Sequence, residues 1–503
     1  MPSIAPGSSK SPDLAPSFFW IGMAGIFAAS LALRFWGLSR FNTLVFDEIY
    51  YARFASSFLK GELVFTGHPP LSTYIVAIGI WLGQYLPWSE EGAKNALAGL
   101  FLSPFSYRWL NAFVGSCIPL VVAGIAYQLS HRRSYALIAA LLIAADGLFL
   151  VESRYALNNV YLIILGLLGH LCFLVALRRQ SWQRWFWLGL AGVGFGASAS
   201  IKWNGLGFLL GAYGVWIAAW LLQSLSWIRS KISHQAMRRS SLSPLYNLTQ
   251  LHPGHIAICL ALIPALVYYL SWIPYMQLDF GSNFVDLQQR TYEYHKRVGG
   301  LDAHPYCSLW YTWPLMLRPI AYFYETTHGQ QEPVSVVGPP LPGNAGTVIY
   351  DVHAMGNPFL WWLSTAAVVL LIGLMIARGW QWVATTFSQD QASADHSQTA
   401  TPGVYDWLVF YLLINWAANF LPWVRVTRCV FIYHYMESLV FAVMALALIL
   451  DRWLASPFRD RRTIGVILIA VILLAFAFWM PLYLGLPLSP FELQIRRWLP
   501  SWI

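Results

Sequence analysis

Long apolar runs broken by short polar connections dominate the chain. A helix needs about 20 apolar residues to cross about 30 Å of hydrocarbon. By that measure about eleven segments qualify as spans: 17–37, 107–129, 135–151, 155–177, 185–201, 205–228, 255–275, 357–378, 404–422, 429–450 and 463–484. Clustered basic residues mark alternate connections: His131-Arg132-Arg133, Arg178-Arg179 with Arg184, Arg229 through Arg239, and Arg452 through Arg462. Cytoplasmic loops collect such residues, so the N-terminus is predicted inside. An odd number of spans then places the C-terminal tail, 485–503, outside. The inner loop 379–403 is the exception, with no Lys or Arg.

Two long segments, 38–106 and 276–356, fall on the outer side. In the first, Tyr51, Phe54, Ala55, Phe58 and Leu59 recur at i, i+3, i+4, i+7 and i+8. That pattern predicts an amphipathic helix lying on the membrane. Residues 71–86 predict a second. The Pro/Ser-rich residues 1–16 are predicted to be disordered and do not resemble a cleavable signal peptide. No internal repeat is visible, so an inverted-repeat transporter gets no support. The polar residues inside spans, chiefly Asp146 and His170, are few for a transport path.

Composition agrees with the pattern. The chain of 503 residues is 57% hydrophobic and only 11% charged, against about a quarter charged in soluble proteins. Lipid is therefore its main solvent. The 26 Trp and 26 Tyr suit interfacial belts. The net charge of +9 does not call for nucleic acid, because the basic residues sit at span ends. The five cysteines, Cys117, Cys172, Cys259, Cys307 and Cys429, show no paired spacing, so neither a zinc site nor a disulfide framework is predicted.

The candidate chemistry lies outside. LVFDEIYY (44–51) sets Asp47 and Glu48 among apolar neighbours. The bland reading is a capped helix start. The functional reading is a general base with a second acid beside it, its proton affinity raised by the apolar surroundings. His68-Pro69-Pro70 is a stiff segment, either a plain turn or a pocket wall that holds His68. A divalent cation on Glu48 and His68 is a minor alternative, because two residues are no ligand set. Arg108, Arg154, Lys202, Arg318, Arg425 and Arg428 lie near outer span ends. Singly, each reads as a snorkelling anchor. Together, facing an acid pair, they read as a pocket for a phosphate at headgroup depth. His304 and Arg318 are the polar residues of HPYCSLWYTWPLMLRP (304–319).

These residues resemble the protein O-mannosyltransferases, GT-C membrane glycosyltransferases that use polyprenyl-phosphate mannose. The resemblance rests on FDEIYYARFASSFLKGELVFTGHPPL (46–71), SYRWLNAFVGS (106–116), LFLVESRYALNN (148–159), SIKWNGLG (200–207), HPYCSLWYTWPLMLRP, GNPFLWW (356–362) and LPWVRVTRCVFIYHYMESLVF (421–441). It implies an all-α polytopic fold, here 17–484, with about eleven spans. It implies that Asp47 is the catalytic base, with Glu48 and His68 lining the acceptor or donor site. Pro69, Pro70, Asn204, His304 and His434 fall on pocket positions. Arg108, Arg154, Lys202, Arg318 and Arg428 become the donor-phosphate set.

There are departures. Where the family often has an Asp, this chain has Asn158 and Asn159, so an acidic role there moves to Glu152. The segment 276–356 is too short for the β-trefoil domain that eukaryotic members insert. That resembles bacterial members and an inner-membrane location. The implied partners are a polyprenyl-phosphate-mannose lipid and Ser/Thr-containing exported proteins. The implied reaction inverts the anomeric centre and needs no certain cofactor. The alternative is a GT-C enzyme that delivers a sugar to a lipid or glycan.

Overall fold

The computed structural model describes residues 13–87, 93–233, 244–279, 281–327, 336, 346–387 and 404–503. Residues 1–12 of the predicted disordered N-terminus, and most of loop 379–403, lie outside this set.

Helices carry the fold: α1 (Pro16–Phe35), α2 (Glu48–Leu59), α3 (Leu71–Gly83), α4 (Pro104–Ser130), α5 (Arg133–Ala144), α6 (Gly147–Arg154), α7 (Asn159–Ala176), α8 (Ser181–Ala199) and α9 (Leu206–Ser233). Then come α10 (Pro244–Thr249) and α11 (Pro253–His255), which runs through a π-helical stretch, Ile256–Leu262, into α12 (Ile263–Leu278). The remainder are α13 (Phe284–Arg297), α14 (Pro358–Phe387), α15 (Val404–Phe420), α16 (Met436–Leu454), α17 (Arg459–Leu484) and α18 (Pro490–Gln494).

Among the described residues, nine helices are long and apolar enough to span a membrane. The bent pair α5–α6, angled by 61°, is a tenth candidate. The eleventh predicted span is α8, a helix of 19 residues. Gln183, Arg184 and its glycines lower its hydropathy, and it is not among those nine. It nevertheless packs within the bundle on α7 and α12. Glycines bring these backbones close: a Cβ on Gly194 would meet Gly169, and one on Gly192 would meet the Cys259 carbonyl. Small residues do this work between helices in lipid, where no hydrophobic force draws them together.

Helix α16 is the central strut. Every residue from Met436 to Asp451 is buried, which explains why its apolar character runs all the way round. The bend between α5 and α6 has a local cause. Asp146 caps α6 by accepting from Phe149 N at 3.0 Å, and it also accepts from Asn357 N at 3.2 Å and Trp361 Nε1 at 2.7 Å. His170 meets the Tyr411 hydroxyl at 2.9 Å in an aromatic nest. Both polar intruders therefore have structural partners.

Two further features accompany the helical fold. A three-stranded antiparallel sheet, β1 (Ile320–Thr327), β2 (Val348–Ala354) and β3 (Pro487–Leu488), joins the second outer segment to the C-terminal tail. Cys307 and Cys429 form a disulfide across a sequence separation of 122. The cysteine spacing gave no sign of it, because a bridge between distant loops leaves no local motif.

Candidate active site

The amphipathic patterns do form helices, α2 and α3, and α2 begins at the acid pair. Just before it, Phe46 has φ 53°. This left-handed conformation costs a non-glycine residue roughly 1–3 kcal/mol. Packing holds it there: the Phe46 ring stacks on Tyr322 at 4.1 Å and 6°. Tyr322 is buried and sits at a register irregularity between Ala321 and Phe323 in β1.

The turn separates the two acids. Glu48 is fully buried. It accepts two bonds from Arg108, Nε at 2.8 Å and Nη2 at 2.7 Å. It also takes Val45 N and Ala156 N, both at 2.8 Å. Glu48, expected beside Asp47 in catalysis, thus has its acceptor capacity filled by protein donors. Among the described residues, no group of three His, Cys, Asp or Glu side chains is placed to hold a metal ion.

Asp47 is only half-buried, and no donor among the described residues bonds its carboxylate. Burial pushes its pKa up to about 6, while the Lys202 ammonium pulls the other way. Lys202 is buried at the turn after α8 and donates to Asn159 Oδ1 at 2.9 Å. Burial brings its pKa down to about 8, opposed by Asp47, Glu152 and Glu437. Asn159 in turn donates to Glu152 at 3.0 Å, and the Tyr322 hydroxyl donates to the same carboxylate. Tyr433 lies under the Lys202 ammonium, 5.1 Å from Nζ to the ring centroid.

Basic groups close the other side. The Arg428 guanidinium is half-buried, and among the described residues its one side-chain bond goes to the Cys429 carbonyl at 3.0 Å. Desolvation lowers its pKa. The HPP segment is tied to the Lys202 turn by Leu71 N to Ser200 O at 3.2 Å. The His68 ring lies 5.0 Å from that of His295. Burial, with the positive charges of Lys202 and Arg428 added, holds His68 well below its ordinary pKa and His295 at about 4. Both imidazoles are thus neutral hydrogen-bonding groups near neutral pH. Gly67, at φ +68°, lets this turn pass Tyr294, where a Cβ would sit 2.6 Å from the ring. Asn204 donates to Glu437. His434 is buried against Trp313 and Trp423. His304 stands at the rim, exposed, 5.5 Å from the Phe431 ring.

Three residues expected at the phosphate, Arg108, Arg154 and Arg318, make hydrogen bonds to protein carbonyls. Arg108 gives its remaining N–H groups to the carbonyls of Leu38, Phe41 and Thr43. Arg154 caps the end of α1 through the carbonyls of Leu33, Arg34 and Trp36. Arg318 holds the Pro305 carbonyl at 2.6 Å. Lys202 and Arg428 remain. Sequence reasoning missed His295, Tyr322 and Tyr433. The signal for His295 was the Asn283–Asp286 capping box that starts an amphipathic helix in the second outer segment.

Comparison with known proteins completes the description. Residues 25–277 match the family described as dolichyl-phosphate-mannose-protein mannosyltransferase. Residues 280–502 match the C-terminal four-transmembrane region of protein O-mannosyltransferase. The polyprenol-phosphate-mannose–protein mannosyltransferase of Mycolicibacterium smegmatis is 26% identical, over 100% of this chain and 97% of its own. That of Corynebacterium glutamicum is 22% identical, over 98% and 96%. The fold is similar to the Saccharomyces cerevisiae Pmt1-Pmt2 protein O-mannosyltransferase complex bound to its sugar donor. The TM-score is 0.74 at 14% identity, covering 99% of this chain and 94% of that one.

Proposed function

The chain belongs to the dolichyl-phosphate-mannose–protein mannosyltransferase family, and on that premise we propose that it moves mannose from a polyprenyl-phosphate mannose to Ser or Thr hydroxyls of exported proteins. It is a multi-pass membrane protein. We place the reaction on the outer face of a bacterial inner membrane, opposite the clustered basic loops. The observation that carries the reading is a carboxylate, Asp47, that no donor among the described residues bonds, beside the buried cation Lys202.

The mechanism follows from that pairing. The acceptor oxygen attacks the anomeric carbon on the face opposite the phosphate. The C–O bond to the phosphate breaks, and its electron pair leaves with the lipid phosphate. The hydroxyl proton passes to Asp47. One base and one displacement invert the anomeric centre. Lys202 and Arg428 neutralise the charge that grows on the leaving phosphate, which removes the need for a strong acid. Neutral His68 and His295 are suited to hydrogen-bonding sugar hydroxyls. A pKa of about 6 leaves Asp47 ionised at neutral pH and still basic enough to accept a proton. Glu152 keeps a carboxylate near Lys202, but Tyr322 and Asn159 engage it, so it orients the cation and does not act as the base.

The test presents purified protein with polyprenyl-phosphate [³H]mannose and either a Ser/Thr peptide or a lipid acceptor. Label in the peptide supports the proposal. Label only in the lipid assigns the alternative acceptor.

A further inference from the structure

At the end of the bundle away from Asp47 lies a cavity of about 590 Å³ between α14, α15, α16 and the start of α17. Helix α16 links the two regions. It starts beside His434, and its 19 residues at ~1.5 Å each carry it about the thickness of the hydrocarbon core. The cavity therefore opens at the opposite membrane surface, among the basic loops predicted to be cytoplasmic.

Its walls are of two kinds. Leu370, Leu374, Leu408 and Leu448 form an apolar side, and Leu370 and Leu374 are exposed on the lipid-facing flank of α14. Arg452 and Arg461 form the polar end. Asp451, the lone acid of the lining, is already taken by Arg132 Nε at 2.6 Å and by the Ser134 hydroxyl at 2.5 Å. Among the described residues, neither Arg452 nor Arg461 pairs with a carboxylate. Each lies over an aromatic ring, Arg452 on Tyr405 at 3.9 Å and Arg461 on Phe458 at 5.1 Å. Those rings hold the cations without discharging them.

We propose that this cavity binds an anionic phospholipid of the inner leaflet, its phosphate at Arg452 and Arg461 and an acyl chain along Leu370 and Leu374. Basic pockets between membrane helices on the cytoplasmic side recognise such headgroups. The exposed apolar wall next to the cations favours a ligand with a chain attached over a free phosphate. The site shares no residue with the proposed mannosyl-transfer site, so it stands or falls separately.

The experiment purifies the full chain from nanodiscs made mostly of phosphatidylcholine with a minority of phosphatidylglycerol. Mass spectrometry then measures the lipid retained in detergent. The wild type should retain phosphatidylglycerol above the bulk ratio. The enrichment should fall about fivefold for each arginine removed, reaching the bulk ratio in Arg452→Gln/Arg461→Gln. Arg459→Gln, outside the lining, should retain it fully. Should the double variant not stay monodisperse, Arg461→Gln alone carries the comparison. No enrichment in the wild type, or equal enrichment in the variant, overturns the proposal. Displacement of phosphatidylglycerol by added undecaprenyl phosphate also overturns it, by assigning the cavity to a polyprenyl phosphate.

Discussion

Arg108→Met should unfold the outer half of the protein before it affects donor recognition. Arg108 and Glu48 are both fully buried, and all five N–H groups of the guanidinium are used: two on Glu48 and three on the carbonyls of Leu38, Phe41 and Thr43. Removing the cation leaves a buried carboxylate without its partner, which costs about 3–5 kcal/mol. Some buried ion pairs can be replaced by apolar residues at little cost. This one cannot, because it also satisfies three backbone carbonyls and, through Glu48, the amides of Val45 and Ala156. Each orphaned backbone group costs about 1–3 kcal/mol, so Glu48→Met/Arg108→Met should be no more stable than the single variant. Arg108→Lys should also be destabilised, since a point charge cannot span those acceptors. The assay is the fraction of monodisperse protein after a heat ramp in detergent, with donor KM measured on what survives. A wild-type thermal midpoint combined with a raised donor KM would refute the reasoning and return Arg108 to the phosphate.

Further outcomes follow from the same geometry. Asp47 must be ionised to act, so kcat/KM should fall tenfold per pH unit below about 6, where burial has set its pKa; a profile flat down to pH 5 contradicts this. Lys202→Met should lower kcat by about 10²–10³-fold. Because Lys202 holds the Asp47 pKa down, the same variant should move the acid limb to higher pH, a shift that loss of phosphate binding alone does not produce. The Cys307–Cys429 bridge ties the Arg428 loop to the second outer segment, so Cys307→Ser, or reduction, should lower both the thermal midpoint and turnover. In the chain-entropy model a closed loop of this length is worth ~5 kcal/mol; unchanged values on both counts would show that the bridge positions nothing.

The spans were legible because lipid demands long apolar runs. The acid pair was legible because two carboxylates in apolar sequence need a reason. Which acid remains free was not legible. It depends on Arg108 and Ala156, 60 and 108 residues from Glu48, and on a left-handed turn at Phe46. The outer arginines had the same weakness. A base near a span end reads alike whether it meets a phosphate, as proposed for Lys202 and Arg428, or a row of carbonyls, as for Arg154. The resemblance gave an ordered set of motifs without telling these apart. The sheet escaped notice although VIYDVHA (348–354) is rich in β-branched and aromatic residues. All of β2 is buried, so the alternation that marks a half-buried strand is absent. At the position where an acid was expected, Asn159 sits between Glu152 and Lys202 as a neutral bridge.

The most direct measurement is single-turnover mannosyl transfer to a Ser/Thr peptide by Asp47→Asn, with donor binding recorded on the same preparation. The account predicts intact donor binding and transfer slowed by about 10²–10⁴-fold. Transfer at the wild-type rate, with binding intact, would show that the acceptor proton goes elsewhere and that Asp47 is not the base.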